Sequence, residues 1–367
     1  MAQLHIGFIG LGLIGGSIAR ALRENISEIR LTAYDVNAAT LEAALKDGVI
    51  DRAAEQIDTG FSDCDYLFLC APVQKNDANL EAVKKILSPS CTLTDVGSVK
   101  TDIHEHIVQA GLEAQFIGGH PMAGSERFGY ANSKAKLLEN AYYILTPTGQ
   151  TDPDKLAAYR TLVETMGAIP LVLDYRQHDY VTAGISHLPH VIAASLVNLV
   201  RDSDNEEGIM KLVAAGGFKD ITRIASSSAA MWQQICLTNT ENISRLLDSY
   251  IDSLSAIRDQ LNKRQGEALY QFFDSARIYR DSFINASSGP IKRVYSFSID
   301  IDDRPVMLAQ VATTLAFNNI NIKNIGIVHN REYEEGVLRI EFYDEASQEA
   351  AKNLLSTPQF VIHEKKF

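Results

Sequence analysis

Gly10, Gly12 and Gly15 stand between an apolar run, Ile6 to Ile9, and the helix-like stretch Ser17 to Arg23. Strand, glycine turn and helix in that order leave few architectures open. The first glycine permits a tight turn, the second lets main-chain N–H groups approach a diphosphate, and the third lets the helix pack closely on the strand. The helix N-terminus adds positive potential for the phosphates. Twenty residues past Gly15, Asp35 closes a second β-rich run, placed to accept hydrogen bonds from an adenosine ribose. Gly10, Gly12, Leu13, Ile14 and Gly15 therefore read as a dinucleotide clamp. Val36 and Asn37 supply no cation for a ribose phosphate, so NAD rather than NADP is the expected cofactor.

Further β-rich runs alternate with helical patterns: Arg30 to Tyr34, Tyr66 to Cys70, Thr92 to Asp95, Gln115 to Gly118, Tyr142 to Thr146 and Ile169 to Leu173. This alternation predicts parallel strands joined by crossover helices, an α/β domain of Rossmann type over residues 1–174. Ligands of such sheets bind at the carboxyl ends of the strands. Ala71-Pro72-Val73 and Gly97-Ser98-Val99 leave two of those ends, which adds Ala71, Pro72 and Ser98 to the expected cofactor contacts.

After Asp174 the strand signal fades, and residues 175–288 read as an all-helical second domain. Between Thr238 and Lys263 the apolar residues Ile243, Leu246, Leu247, Tyr250, Ile251, Leu254 and Ile257 recur at threes and fours, one face of a helix. Such faces exceed what the first domain can cover, so a homodimer formed through the helical domain is expected. Asn285-Ala286-Ser287-Ser288-Gly289-Pro290 reads as a linker. Residues 292–367 then give the order β, α, β, β, α, β, a ferredoxin-like domain.

At 367 residues the chain exceeds one typical core. Its 46% apolar and 22% charged residues are those of an ordinary soluble protein, and a formal charge of −12 argues against nucleic acid or an anionic membrane as partner. No stretch reads as approaching a membrane span; Val191 to Val200 is too short. No basic segment precedes the first apolar residues, so a cytoplasmic location is expected. Cys64, Cys70, Cys91 and Cys236 show neither a CxxC pair nor zinc-ligand spacing, so buried thiols and no metal are expected.

Three clusters could carry chemistry. Gly118-Gly119-His120-Pro121 follows a β-rich run, and an imidazole with an ordinary pKa near 6.5 is a natural base for a hydroxyl proton while hydride leaves for NAD. A packed or capping histidine is the alternative. The glycines and proline, expected to expose and stiffen a loop, favour the catalytic reading. In Ser186-His187-Leu188-Pro189-His190, the two histidines share a face if the segment is helical. They suit hydrogen bonding to a polar substrate or simple solvation, and a third metal ligand is missing. In Gly216 to Arg223, the guanidinium of Arg223 suits a carboxylate or a surface ion pair. Nine residues on, Trp232 would stand on the opposite face of an unbroken helix. Either the helix breaks near Ser226-Ser227-Ser228 or Trp232 serves a neighbouring subunit.

The ordered set GLGLIGGS at 10–17, DVGSVK at 95–100, GGHPMAGSE at 118–126, SHLPH at 186–190 and GGFKDITRIA at 216–225 closely resembles the prephenate dehydrogenase family. The resemblance implies NAD-dependent oxidative decarboxylation of prephenate to 4-hydroxyphenylpyruvate, in tyrosine biosynthesis. It further implies that His120 takes the hydroxyl proton, that Ser98 positions His120 and the nicotinamide end, and that Arg223 holds a substrate carboxylate. His187 and His190 would line the substrate pocket with Gly216, Glu126 would gate it, and Trp232 would reach in from the partner subunit. The tail from 292 resembles an ACT domain, which implies a tyrosine effector; Val306 stands where that pattern usually has glycine. Arogenate is the rival substrate. A sugar-acid β-hydroxyacid dehydrogenase and a non-catalytic sensor of NAD and an amino acid are rival activities, opposed by the HPMAGSE and SHLPH motifs and by the set Ser98, His120 and Arg223.

Overall fold

The computed structural model describes residues 3–71, 73–124, 127–284, 295–301, 305–328, 336–356 and 360–363. The chain divides into two compact units, Met1–Lys263 and Arg264–Phe367.

In the first unit, β1 (Leu4–Ile9), β2 (Ile29–Tyr34), β3 (Arg52–Ala54), β4 (Tyr66–Leu69) and β5 (Thr92–Asp95) form a parallel sheet in the order β3-β2-β1-β4-β5. Helices α1 (Leu13–Asn25), α2 (Ala38–Lys46), α3 (Val73–Lys84), α4 (Thr101–Ala110) and α5 (Pro153–Thr165) accompany it. Side chains alternate across a strand with a period of two, and the core follows that rule. Ile6, Phe8 and Phe68 enter the layer held by Ile18 and Leu22 of α1 and Tyr159 and Leu162 of α5. Ile9, Leu67 and Leu69 enter the other, with Leu80 and Val83 of α3 and Ile103 and Ile107 of α4. Full burial stabilises by about 1.5–3 kcal/mol per Leu, Ile or Phe side chain.

One expectation is corrected beyond β5. Strands β6 (Ile117–Pro121), β7 (Tyr142–Pro147) and β8 (Ile169–Val172) form a further sheet, joined to β5 by a parallel bridge from Leu93 to Phe116. There β7 runs antiparallel to β6 and parallel to β8. A parallel return needs a crossover over a sheet face. The described part of the 122–141 link contains instead two short 3-10 turns, Tyr130–Asn132 and Ala135–Leu137. It is held on α1, where Ser17 Oγ accepts from Lys134 N at 3.0 Å.

Beyond Asp174 the unit is helical. Helix α6 (Tyr175–Thr182), a π turn at Ala183–His187 and α7 (Leu188–Ser203) run on as one rod. By length and composition alone this rod, 29 residues with a mean hydropathy of 1.4 in its most apolar window, could cross a membrane, which corrects the expectation that no stretch approaches a span. The shorter run Val191–Val200 is extended by neighbours that carry few charges. Within the fold the first turns of the rod bury His178, Asp179 and Thr182, all hydrogen-bonded. Helices α8 (Ile209–Val213) and α9 (Gly216–Thr222), a 3-10 turn at Arg223–Ser226, α10 (Ala229–Thr238) and α11 (Thr240–Asn262) follow. The helix does break between Arg223 and Trp232: Ser227 is extended, and Ser228 caps α10 by accepting from Met231 N. Of the apolar stripe on α11, Ile243 is buried while Ile251 and Leu254 are exposed.

The second unit holds α12 (Gly266–Ile284), β9 (Tyr295–Ile301), α13 (Pro305–Phe317), β10 (Ile322–Val328), β11 (Gly336–Phe342), α14 (Glu345–Leu355) and β12 (Ile362–His363). From β9 on, the order is the expected βαββαβ, with an antiparallel sheet arranged β10-β11-β9-β12. Phe297, Ile299, Leu338 and Ile340 face Val311, Leu315, Ala351 and Leu355 of its helices. The linker Asn285–Pro290 lies outside the described residues, as do Asp303 and Arg304 and the side chain of Val306.

Candidate active site

The glycine turn is positioned by sterics. Gly10 has φ +94°, and a Cβ there would meet Ala71 N at 2.8 Å and the Cys70 carbonyl carbon at 2.9 Å. Only glycine fits, because the turn after β1 packs against the turn after β4, where the strand order reverses. A Cβ at Gly15 would meet Gly10 O at 2.8 Å, so the third glycine serves helix–strand packing. At Gly12 a Cβ would meet nothing within 4 Å. Gly12 also caps α1 without a side-chain hydrogen bond, which leaves first-turn N–H groups for an anion. Asp35 accepts from Leu11 N at 2.7 Å on one oxygen and from Asn37 N at 2.8 Å on the other. It braces the turn, with lone pairs left for a ribose. An open cradle at Gly12 with a carboxylate beside it fits a dinucleotide. Leu13, Ile14 and Ala71 are half-buried around it. Pro72 and Glu126 lie outside the described residues.

His120 stands within strand β6, opposite Ile144 of β7, and not in a loop after the strand. The role expected for Gly118 and Gly119 is corrected with it. A Cβ at Gly118 would meet Thr146 Oγ1 at 2.2 Å, and one at Gly119 would meet Asp95 O at 2.6 Å. These glycines let β6 press between its neighbours. Two buried charges hold it there: Lys100 Nζ pairs with the Asp95 carboxylate and donates to Gly119 O at 2.8 Å, and Asp95 accepts from Gly119 N at 3.2 Å and Gly97 N at 2.9 Å. Ser98 is half-buried in the loop that this pair closes.

The ring of His120 is half-buried, and its Nδ1 lies 2.7 Å from Nε2 of the fully buried His178. His178 Nδ1 lies 2.8 Å from the carboxylate of Asp179, which also accepts from Lys100 N, Thr101 N and the Thr101 hydroxyl. Burial, reinforced by His178, Lys100 and His187, holds His120 well below the usual imidazole range. It is neutral near pH 7 and free to take a proton.

SHLPH spans the π turn and the start of α7, which turns both histidines toward Trp232. His190 stacks on the indole with centroids 3.7 Å apart, and His187 meets it edge-on at 6.0 Å. Burial pushes His187 down to about 4. The contact of Trp232 is with histidines of its own chain; its Nε1 is buried with no hydrogen-bond partner among the described residues. A cavity of about 560 Å³ opens here, lined by His190, Ala194, Asn198, Ile224, Trp232 and Cys236. Arg223 is exposed on the 3-10 turn next to Ile224; burial, with a smaller push from its charge, holds His190 below the usual imidazole range. Gly216 opens α9 and is exposed.

Asn239 links the two histidine clusters, donating Nδ2 to Asp179 O at 2.8 Å and lying 3.1 Å from His187 Nδ1. Sequence reasoning missed His178, Asp179 and Asn239. A histidine and an aspartate side by side near the start of an apolar rod are the signal that could have found the first two, because buried polar groups need partners. Among the described residues no group of three His, Cys, Asp or Glu could hold a metal.

Two family models match the chain: the nucleotide-binding domain of prephenate dehydrogenase over residues 18–171 and its dimerization domain over 174–275. Prephenate dehydrogenase of Bacillus subtilis is 38% identical over 348 residues, 94% of each chain. The chain belongs to the prephenate dehydrogenase family. A solved prephenate dehydrogenase from A. aeolicus, in complex with hydroxyphenyl propionate and NAD+, superposes with a TM-score of 0.73 at 32% identity, covering 77% of this chain and 99% of that one. Arogenate dehydrogenase from Synechocystis gives 0.69 at 31%, covering 76% and 100%. The family's nucleotide-binding match contains Gly118 to His120 and DVGSVK, and its dimerization match contains SHLPH, Arg223 and Trp232. Membership makes the chain an oxidoreductase and favours the dehydrogenase over the sensor reading.

Proposed function

We infer that the protein catalyses the NAD-dependent oxidative decarboxylation of prephenate to 4-hydroxyphenylpyruvate. The family match over nearly the whole chain carries this reading, and the cradle at Gly12 supports the cofactor. Gly10, Gly12, Leu13, Ile14, Gly15, Asp35, Ala71, Pro72 and Ser98 hold NAD, which when bound supplies the hydride acceptor. Neutral His120 takes the proton from the ring hydroxyl, a role that contributes about 10²- to 10⁴-fold to rate. Arg223 holds a substrate carboxylate, His187, His190 and Gly216 line the pocket with Trp232, and Glu126 gates it. The exposed and half-buried apolar faces of α7–α11 support a homodimer built through residues 175–288, and a match to the dimerization domain agrees with it. Residues 1–174 and 292–367 form the other two domains, the last an ACT-like domain that takes tyrosine as effector. Four free thiols fit a cytoplasmic enzyme.

The test is NADH formation by the purified protein with prephenate or arogenate, with NAD or NADP, and with or without tyrosine. Faster turnover of prephenate with NAD is expected. Preference for arogenate would move this chain to the specificity named for its Synechocystis neighbour, and indifference to tyrosine would remove the effector.

A further inference from the structure

We propose that His178 and Asp179 are positioning residues that lock His120 in the tautomer whose Nδ1 carries the hydrogen and whose Nε2 keeps its lone pair. The inference rests on His120 being the base. It follows from counting donors and acceptors along one buried chain.

Asp179 is the fixed end. Its carboxylate receives two main-chain N–H groups from the start of α4, Lys100 N and Thr101 N at 2.8 Å each, and the Thr101 hydroxyl at 2.5 Å. Four donors, His178 included, keep it ionised, and an ionised carboxylate only accepts. The proton between Asp179 and His178 therefore belongs to His178 Nδ1. Burial disfavours an imidazolium at His178, so its Nε2 is a bare acceptor. His120 Nδ1, 2.7 Å away, must then donate to it, and neutral His120 has its only lone pair on Nε2. The reverse assignment would set a bare His178 Nδ1 against a carboxylate oxygen, lone pair to lone pair.

The main chain of Asp179 orients the other cluster. Asn239 Oδ1 accepts from Asn242 Nδ2 at 2.8 Å, which fixes the amide. Its Nδ2 then spends its two hydrogens on Asp179 O and His187 Nδ1, so neutral His187 carries its hydrogen on Nε2. One residue thereby makes His120 a proton acceptor and His187 a hydrogen-bond donor.

The deciding experiment is long-range proton–nitrogen NMR on the full-length protein with labelled histidines. Wild-type His120 should show a protonated Nδ1 and a bare Nε2; the opposite tautomer overturns the proposal. Asp179→Asn presents an amide N–H to His178 Nδ1 and should invert the chain, lowering kcat about 10²-fold or more while KM for prephenate changes little. His178→Phe should lower kcat in the same way, and His178→Gln, whose carbonyl can still accept from Nδ1, should restore part of it. NAD binding checks that each variant is folded. If His120→Asn abolishes turnover while His178→Phe and Asp179→Asn leave kcat and tautomer unchanged, positioning fails and the base stands. If His120→Asn leaves turnover intact, the base reading itself has failed.

Discussion

The α/β half of the first unit and the helical half after Asp174 handle apolar side chains in opposite ways. Ile6, Phe8, Ile9, Leu67, Phe68 and Leu69 are 0% exposed, each buried by helices of the same half. Across residues 188–262 the buried apolar residues are Ala193 and Ile243, while Leu199, Leu212, Val213, Ile221 and Leu237 are 62–77% exposed. The first half closes a core from its own sequence. The second leaves apolar surface exposed, and the proposed dimer would bury it at roughly 25 cal/mol per Å². Between the two lies a polar seam of Asp95, Lys100, His178 and Asp179, and the imidazole of His120 sits on it.

The comparison breaks first at that seam. His120→Asn should lower kcat about 10²- to 10⁴-fold with NAD affinity nearly unchanged, read by steady-state kinetics beside cofactor titration. Unchanged turnover would move the chemistry off the seam. Next, Leu93→Ala empties part of the α/β core and should cost about 2–5 kcal/mol in denaturant unfolding; a cost below ~1 kcal/mol would mean the half is not self-contained.

Acid should press on both halves alike. His104 on α4 and His187 before α7 are each pushed by burial to about 4. Below the ordinary value near 6.5 the unfolded chain takes up protons that the fold refuses, so stability falls as pH drops from there toward 4 and levels off beneath it. Each histidine contributes up to roughly 3 kcal/mol to that loss. Urea unfolding at stepped pH should show the slope, and His104→Gln should flatten it. The smallest change in single-chain stability is expected from Leu237→Glu, within about 0.5 kcal/mol for the α/β half. Sedimentation should nevertheless show the dimer weakened, and an unaltered association state would mean that this face is not the one covered.

Local features were the legible ones. The glycine turn, β1, β2, β4, β5 and the βαββαβ tail announce themselves through short-range patterns, because period-two burial and turn sterics act within a few residues. Strand β3, with three residues, is too short to leave a pattern. The reversed β7 depends on how the 122–141 link lies on α1, a contact between segments distant in sequence. The motifs pointed to His120, His187, His190 and Trp232, and the structure joins the last three by ring contacts. Their support was not legible: a His–Asp pair early in a helix looks like a solvated face until Lys100 and Thr101 are folded against it.

The π turn at Ala183–His187 sets the phase of everything after it. Each helical residue contributes about 100° of rotation and 1.5 Å of rise. Winding the same residues as ordinary α-helix would dial all of α7 about a quarter-turn further around its axis, carrying His190 off the indole with no change in composition. The winding of this stretch is therefore as much a determinant of pocket chemistry as the identity of its side chains.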